Sequence, residues 1–208
     1  MTKLLVFDVE TTGLLSATNE PYITQLGFIL YDTETCQALT TYSQYIRLPD
    51  GVEVPPVVVS LTGITTALCR TQGVPIVEAL AAFNDAYRNC DQVVAHNFSF
   101  DHGMMSLELM RHAWSLMAYD DTCYPLAFVE NAKPMVCTMK DGIEVCSLWR
   151  MSRSNKPYKK WPKLNELHVK LVGYAPGGMH DALTDTKACL NCYMAQRDLP
   201  APFLLQAC

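Results

Sequence analysis

Near the start of the chain an apolar run, Leu4-Leu5-Val6-Phe7, ends in Asp8-Val9-Glu10, and no other stretch restricts the possible folds as strongly. Side chains two apart on a strand leave the same face, so Asp8 and Glu10 project together and can share one cation. An acid pair closing an apolar run is commonly just a solvated strand end. Two further segments weigh against that: Ala95-His96-Asn97-Phe98-Ser99-Phe100-Asp101 and His180-Asp181-Ala182-Leu183-Thr184-Asp185. Taken singly, Asp101 is an acid in the first turn of a helix, where the helix dipole favours it, and His180 is an ordinary surface histidine. Together the three segments supply four carboxylates and an imidazole, a donor set suited to hard divalent cations.

The segments resemble the DEDDh 3′–5′ exonucleases, which include polymerase proofreading subunits, ribonuclease T, oligoribonuclease and the three-prime repair exonucleases. The matching residues are Asp8-Val9-Glu10-Thr11-Thr12-Gly13-Leu14, His96-Asn97 with Phe100-Asp101, and His180 with Asp185 five residues on. Leu61-Thr62-Gly63-Ile64-Thr65 is similar to a turn in many members, and Lys160-Trp161-Pro162-Lys163-Leu164-Asn165-Glu166-Leu167 is similar to phage and viral members. The likeness runs from about residue 3 to 197.

The resemblance implies phosphodiester hydrolysis with two ions, Mg²⁺ or Mn²⁺, about 4 Å apart. It implies that Asp8 bridges the ions, that Glu10 and Asp185 bind one, that Asp101 holds the other, and that His180 is the general base. An imidazole with a reference pKa of about 6.5 can take a proton from the attacking water near neutral pH. Thr11, Thr12 and Gly13 are expected to donate to the substrate's 3′ end, with Gly13 letting the chain bend closely. Leu14 is expected to wedge against the terminal base, while Asn97 and Phe100 line the nucleotide pocket. The plain alternatives for the last two are a helix N-cap and a core aromatic.

Apolar and polar periodicity places strands near 3–9, 22–32, 41–48 and 91–95, a helical turn near 56–62, and helices over 75–89, 99–118, 163–171 and 182–196. Within 99–118, Met104, Leu107, Met110, Trp114 and Met117 recur at helical spacing and are read as a core stripe. The stretch 120–147 shows no clear pattern. This order suits an α/β chain with a ribonuclease-H-like mixed central sheet flanked by helices, formed by residues 1–208 as a single exonuclease domain.

With 50% hydrophobic and 18% charged residues, the composition is ordinary for an α/β enzyme, without repeats or low-complexity segments. No signal peptide or membrane-length apolar run is visible, so a soluble cytoplasmic protein is expected. Nine cysteines suit a reducing compartment, and Cys189-x-x-Cys192 is read as buried small hydrophobes. The net charge of −5 argues against nonspecific polyanion binding by the whole surface. Between Arg150 and Lys163, however, Arg150, Arg153, Lys156, Lys159, Lys160 and Lys163 mingle with Tyr158 and Trp161. Such a stretch can follow a phosphate backbone while an aromatic stacks on a base, or it can be a solvated loop.

The expected activity is release of nucleoside 5′-monophosphates from a free 3′ end. Single-stranded or frayed DNA is favoured, RNA is left open, and a polymerase is a candidate partner. A nucleic-acid-binding module without catalysis is the competing class, disfavoured because such a module has no need of four acids beside a phosphate.

Overall fold

The computed structural model describes residues 2–119, 126–130, 132–203 and 205. Its centre is a sheet of five strands in the order β3-β2-β1-β4-β5. Strand β1 is Lys3–Thr11, β2 is Ile23–Asp32, β3 is Gln37–Tyr45, β4 is Gln92–Ala95 and β5 is Met135–Cys137. β1, β2 and β3 pair antiparallel, whereas β4 lies parallel to β1 and β5 parallel to β4. The mixed sheet therefore follows the sequence expectation.

Alternation along β1 sorts the core into two layers. Leu5, Phe7 and Val9 face one side with Leu26, Phe28, Leu30, Val93 and Ala95. There they meet helices α3 (Ile76–Arg88), α4 (Phe98–Arg111), α5 (Ala113–Tyr119) and α6 (Leu126–Val129), which follow α1 (Pro56–Thr62) and α2 (Thr66–Gln72) in the chain. Phe7, Phe83 and Phe128 form a mutual edge-to-face cluster with centroids 5.1 to 5.9 Å apart, an arrangement the ring quadrupoles favour. Leu4 and Val6 face the other side with Ile29, Tyr31 and Val94, covered by α8 (Leu164–Val172) and α9 (Ala182–Ala195). Asp8 and Glu10 continue the Leu4 and Val6 series, so they emerge on the α9 side.

Helix α9 is buried nearly all round, which explains its apolar sequence. Cys189 and Cys192 lie in that core, at 1% and 0% exposure, as small hydrophobes. Helix α7 (Thr138–Cys146) and a hairpin of β6 (Trp149–Met151) and β7 (Pro157–Lys159) complete the elements. The stretch 120–147 thus holds α6, β5 and α7, while its residues 120–125 and 131 lie outside the described residues.

Two expectations need correction. The third strand spans 37–45 instead of 41–48, because the largely exposed edge strand β3 carries little apolar signal; beyond it Ile46 bridges to Val74 while its N–H still donates to the Thr24 carbonyl. The helix expected over 99–118 is two helices, and its expected core stripe holds at Met104, is half-buried at Leu107 and fails beyond. Met110, Trp114 and Met117 are exposed, Trp114 at 86%, while Asp101, Met104, Met105, Glu108 and Leu109 point inward. The inward face of α4 is set by two buried acids that an apolar pattern cannot register. Arg111 then holds the end of α4 by donating to the Pro21 and Glu20 carbonyls and to Glu108.

Candidate metal and nucleotide site

The pairing of β1 with β4 ends at Val6, so the end of β1 runs past its neighbour. The first turn of α4 fills that space. Asp101 there accepts hydrogen bonds from the Val9 N–H and from its own N–H, which fixes its carboxylate beside Asp8. From the other side of the sheet, α9 brings Asp185. Asp181 caps that helix by accepting from the Thr184 N–H and hydroxyl, each at 3.0 Å.

The approach of α9 depends on two β2 residues that the sequence reading missed. Gln25 pairs in register with Glu10 and Gly27 with Asp8. The Gln25 side chain donates to Asp181 at 2.7 Å and accepts from the Ala182 N–H at 3.1 Å. At Gly27 a Cβ would lie 2.5 Å from the Ala182 carbonyl carbon and 2.7 Å from the Leu183 nitrogen. Only glycine lets the helix start this close to the strand. Their signal was a polar residue and a glycine on one face of an otherwise apolar strand.

His180 adopts a left-handed backbone, φ 68°, just before this helix. Its N–H donates to Asp185 Oδ2 at 3.3 Å. Potential ligand atoms of Glu10, His180 and Asp185 all lie within 4.8 Å of one another. Asp8, Glu10, Asp101, His180 and Asp185, which the sequence reading grouped, thus converge at one end of the sheet.

Electrostatics confirm the crowding. Burial, followed by Asp101, Asp185, Glu10 and Asp181, holds the Asp8 carboxyl well above its usual range. Burial and then Asp185 and Asp181 push Glu10 up to about 8. Asp101 is pushed up to about 8, mainly by burial, against the two N–H groups that favour its charge. Asp185 rises to about 7 for the same first reason, opposed by the His180 N–H. Such a cluster lacks positive charge, and Asp185 Oδ1 is buried without a hydrogen-bond partner among the described residues. Oxygen donors with an orphaned, aimed lone pair fit a hard divalent cation.

Beside the carboxylates opens an apolar cavity of about 560 Å³, lined by Glu10, Thr11, Thr12, Gly13, Leu14 and Phe100 from the expected set. Val57 and Leu61, one turn apart on α1, contribute to its wall with Val9, Pro55, Val58 and Thr62. Leu14 is 77% exposed and Val57 75%, so the rim presents bare apolar surface to a ligand. Phe100 both lines the cavity and packs on the core. Asn97 is not brought to this cavity. It stands exposed at the N-cap of α4 without a side-chain cap bond.

The turn is locked by Thr11, whose hydroxyl donates to the Gly13 carbonyl at 2.7 Å, and by Thr12, whose hydroxyl accepts from the Tyr22 N–H. Gly13 is not left-handed, and a Cβ there would meet only Asn19 Nδ2 at 3.6 Å. The expected sharp bend at Gly13 is therefore not what requires glycine. His96 is buried between Thr138 and the Pro162 carbonyl, and burial lowers its pKa to about 4. It is a neutral brace behind the site.

With this geometry in view, the family model described as exonuclease, of the RNase T type, matches residues 5–193. The chain belongs to that exonuclease family. It is 35% identical over 109 residues to a PolC-type DNA polymerase III of Streptococcus pyogenes, covering 52% of this chain and 7% of that one. A Mycobacterium tuberculosis protein whose name joins exonuclease and endonuclease is 26% identical over 91% of this chain. The chain spans only 26% of that relative's length.

Among solved structures, E. coli exonuclease I in complex with a dT13 oligonucleotide superimposes with a TM-score of 0.67 at 19% identity, covering 95% of this chain and 41% of that one. A product-bound exonuclease I superimposes with a TM-score of 0.70 at 18% identity, covering 95% and 44%. These neighbours share the ribonuclease-H-like fold. Among the described residues no helix is long and apolar enough to cross a membrane.

Proposed function

We propose that this chain is a metal-dependent 3′–5′ exonuclease domain that hydrolyses DNA from the 3′ end to nucleoside 5′-monophosphates. The observation that carries the reading is four converging carboxylates with His180, opening onto an apolar cavity of nucleotide size. Asp8, Glu10, Asp101 and Asp185 would hold two divalent ions, Mg²⁺ or Mn²⁺. When bound, the ions would neutralise charge on the phosphate, acidify the attacking water and stabilise the leaving oxygen.

The chain's own residues do the rest. Leu14, Val57, Leu61 and Phe100 take the terminal nucleoside and exclude water from it. Gly13 leaves room for the sugar and phosphate to approach the backbone. His180, turned toward Glu10 and Asp185 by its left-handed backbone, accepts the proton of the attacking water at a ring nitrogen. A second reading of His180, as a ligand, is favoured by its ring nitrogen lying within 4.8 Å of both carboxylates.

Nothing in the cavity names the sugar, so an exoribonuclease is the alternative substrate class. The test is incubation of labelled single-stranded DNA, frayed duplex and RNA with Mg²⁺, Mn²⁺ or EDTA. Mononucleotides released from the 3′ end only with metal support the reading. Release from the 5′ end, or turnover in EDTA, refutes it.

A further inference from the structure

The β6–β7 hairpin and the segment after it form a groove of about 580 Å³, lined by Arg150, Tyr158, Lys159, Lys160, Trp161 and Lys163. Arg150 stands directly opposite Tyr158, a cation beside an aromatic on one face of the hairpin. Trp161, in the groove's lining, is 60% exposed, whereas Trp149 pairs with Lys159 on the opposite face of the hairpin, with the Lys159 ammonium over its ring. Two cations are already engaged: Lys159 pairs with Glu144, and Lys160 pairs with Glu166 at 2.6 Å. Lys163 lies close enough to Glu166 to favour its charged form, while Arg150, Arg153 and Lys156 form no ion pair among the described residues. On a chain of net charge −5, this concentrates unbalanced positive charge at one place.

The groove is also tied to the carboxylate cluster. Pro162, between the lining residues Trp161 and Lys163, accepts a hydrogen bond from the buried His96 at 3.1 Å. His96 lies two residues beyond Val94, as Asp8 lies two beyond its parallel partner Val6. The groove is therefore linked to the same end of the sheet where the candidate metal ligands sit.

We infer that this groove is a second contact for single-stranded nucleic acid, holding phosphates and a stacked base upstream of the 3′ nucleotide. Free cations alternating with exposed aromatics suit a polymer that alternates phosphate and base, because every base offers a face to stack on. An acidic peptide would use the cations but leave Tyr158 and Trp161 idle. The polymer's identity rests on the exonuclease reading; the binding surface itself does not.

The test uses the full chain with Ca²⁺ replacing Mg²⁺ to suppress turnover, and a labelled oligothymidylate of about twenty nucleotides, a length exceeding one site of this kind. Trp161→Ala should weaken binding about tenfold through loss of one stacked base. Arg150→Ala/Arg153→Ala/Lys156→Ala should lower the log-log salt slope by about 2, at roughly 0.7 per single-strand phosphate contact. Cleavage of a thymidine dinucleotide, too short to reach the groove, should be unchanged in both variants.

Unchanged long-strand affinity and salt slope in folded variants would overturn the inference. So would displacement of the strand by poly-glutamate as effectively as by unlabelled DNA. Wild-type protein that binds the long strand in Ca²⁺ but releases no mononucleotide from it in Mg²⁺ or Mn²⁺ would sink the exonuclease reading and leave the groove standing.

Discussion

Gly27→Ala is expected to detach Asp185 from the site while leaving every candidate ligand in the sequence. The new Cβ would meet the Ala182 carbonyl carbon at 2.5 Å, its oxygen at 2.6 Å and the Leu183 nitrogen at 2.7 Å. Carbon contacts are comfortable near 3.5 to 4.0 Å, so the start of α9 must retreat by about 1 Å. All three atoms are backbone at a helix start, and no side chain can rotate away to absorb the clash.

The retreat also stretches the Thr186 hydroxyl bond to the Gly27 carbonyl, 3.1 Å, and the two bonds from Gln25 to the helix cap. Overpacking costs about 1 to 3 kcal/mol, and a weakened buried hydrogen bond adds about 1 kcal/mol. A fall in unfolding free energy of about 2 to 4 kcal/mol is therefore expected, measured by urea denaturation followed by circular dichroism. Displacing a positioned group by about 1 Å costs about a hundredfold in rate. Turnover measured well below the variant's melting transition should fall by that factor, which separates misplacement from unfolding. Gly13→Ala is the control, since its Cβ meets only ordinary contact and stability should be unchanged. Gly27→Ala within threefold of wild-type turnover, with stability within about 0.5 kcal/mol, would refute the close-approach argument.

Asp8→Ala and Asp185→Ala should each abolish hydrolysis, and turnover within about tenfold of wild type for either would defeat the metal-ligand assignment. His180→Ala should lower turnover by about 10² to 10⁴; full rescue by excess Mn²⁺ would identify His180 as a ligand instead of the base. Leu14→Ala, at an exposed position, should leave the melting temperature unchanged yet raise KM for the 3′ end, and an unchanged KM would remove Leu14 from the pocket. In EDTA, carboxyls whose folded-state pKa is raised to about 8 at Glu10 and Asp101 contribute stability below about pH 4 that is lost as pH rises toward 8. The melting temperature should thus fall between pH 6.5 and 8 in EDTA, and Mg²⁺ or Mn²⁺ should cancel the fall. The sign is opposite at His96: with its folded pKa depressed to about 4, it contributes stability above about pH 6.5 that is lost as pH falls toward 4. That loss is about 3 kcal/mol, and His96→Gln should flatten this limb in unfolding titrations.

The alternation Leu4, Val6, Asp8, Glu10 was legible because a strand's period of two is rigid: burying the first two residues commits the acids to the same face. Asp185 and His180 were legible through motif resemblance. Spacing alone could not show that α9 starts against β2, since that contact is made by absence, the missing Cβ of Gly27. Gln25 was hidden for a related reason. A polar residue inside an apolar strand lowers the strand signal, and its partners, Asp181 and the Ala182 N–H, lie more than 150 residues away.

Helix α4 shows the limit of periodicity most clearly. Its inward face runs through Asp101 and Glu108, and a pattern that scores only apolar residues rotates the helix toward Met110 and Trp114 instead. Both acids are inward for reasons beyond the helix. Asp101 receives the Val9 N–H at the end of β1, and Glu108 receives Arg111, which reaches on to the Glu20 and Pro21 carbonyls. One buried acid anchors the helix start to the carboxylate cluster. The other anchors its end to the loop that follows the Thr11–Leu14 turn. A helix held at both ends by polar contacts keeps its rotation even where its apolar face would prefer another, and that rotation places Asp101 beside Asp8 and Phe100 in the wall of the cavity.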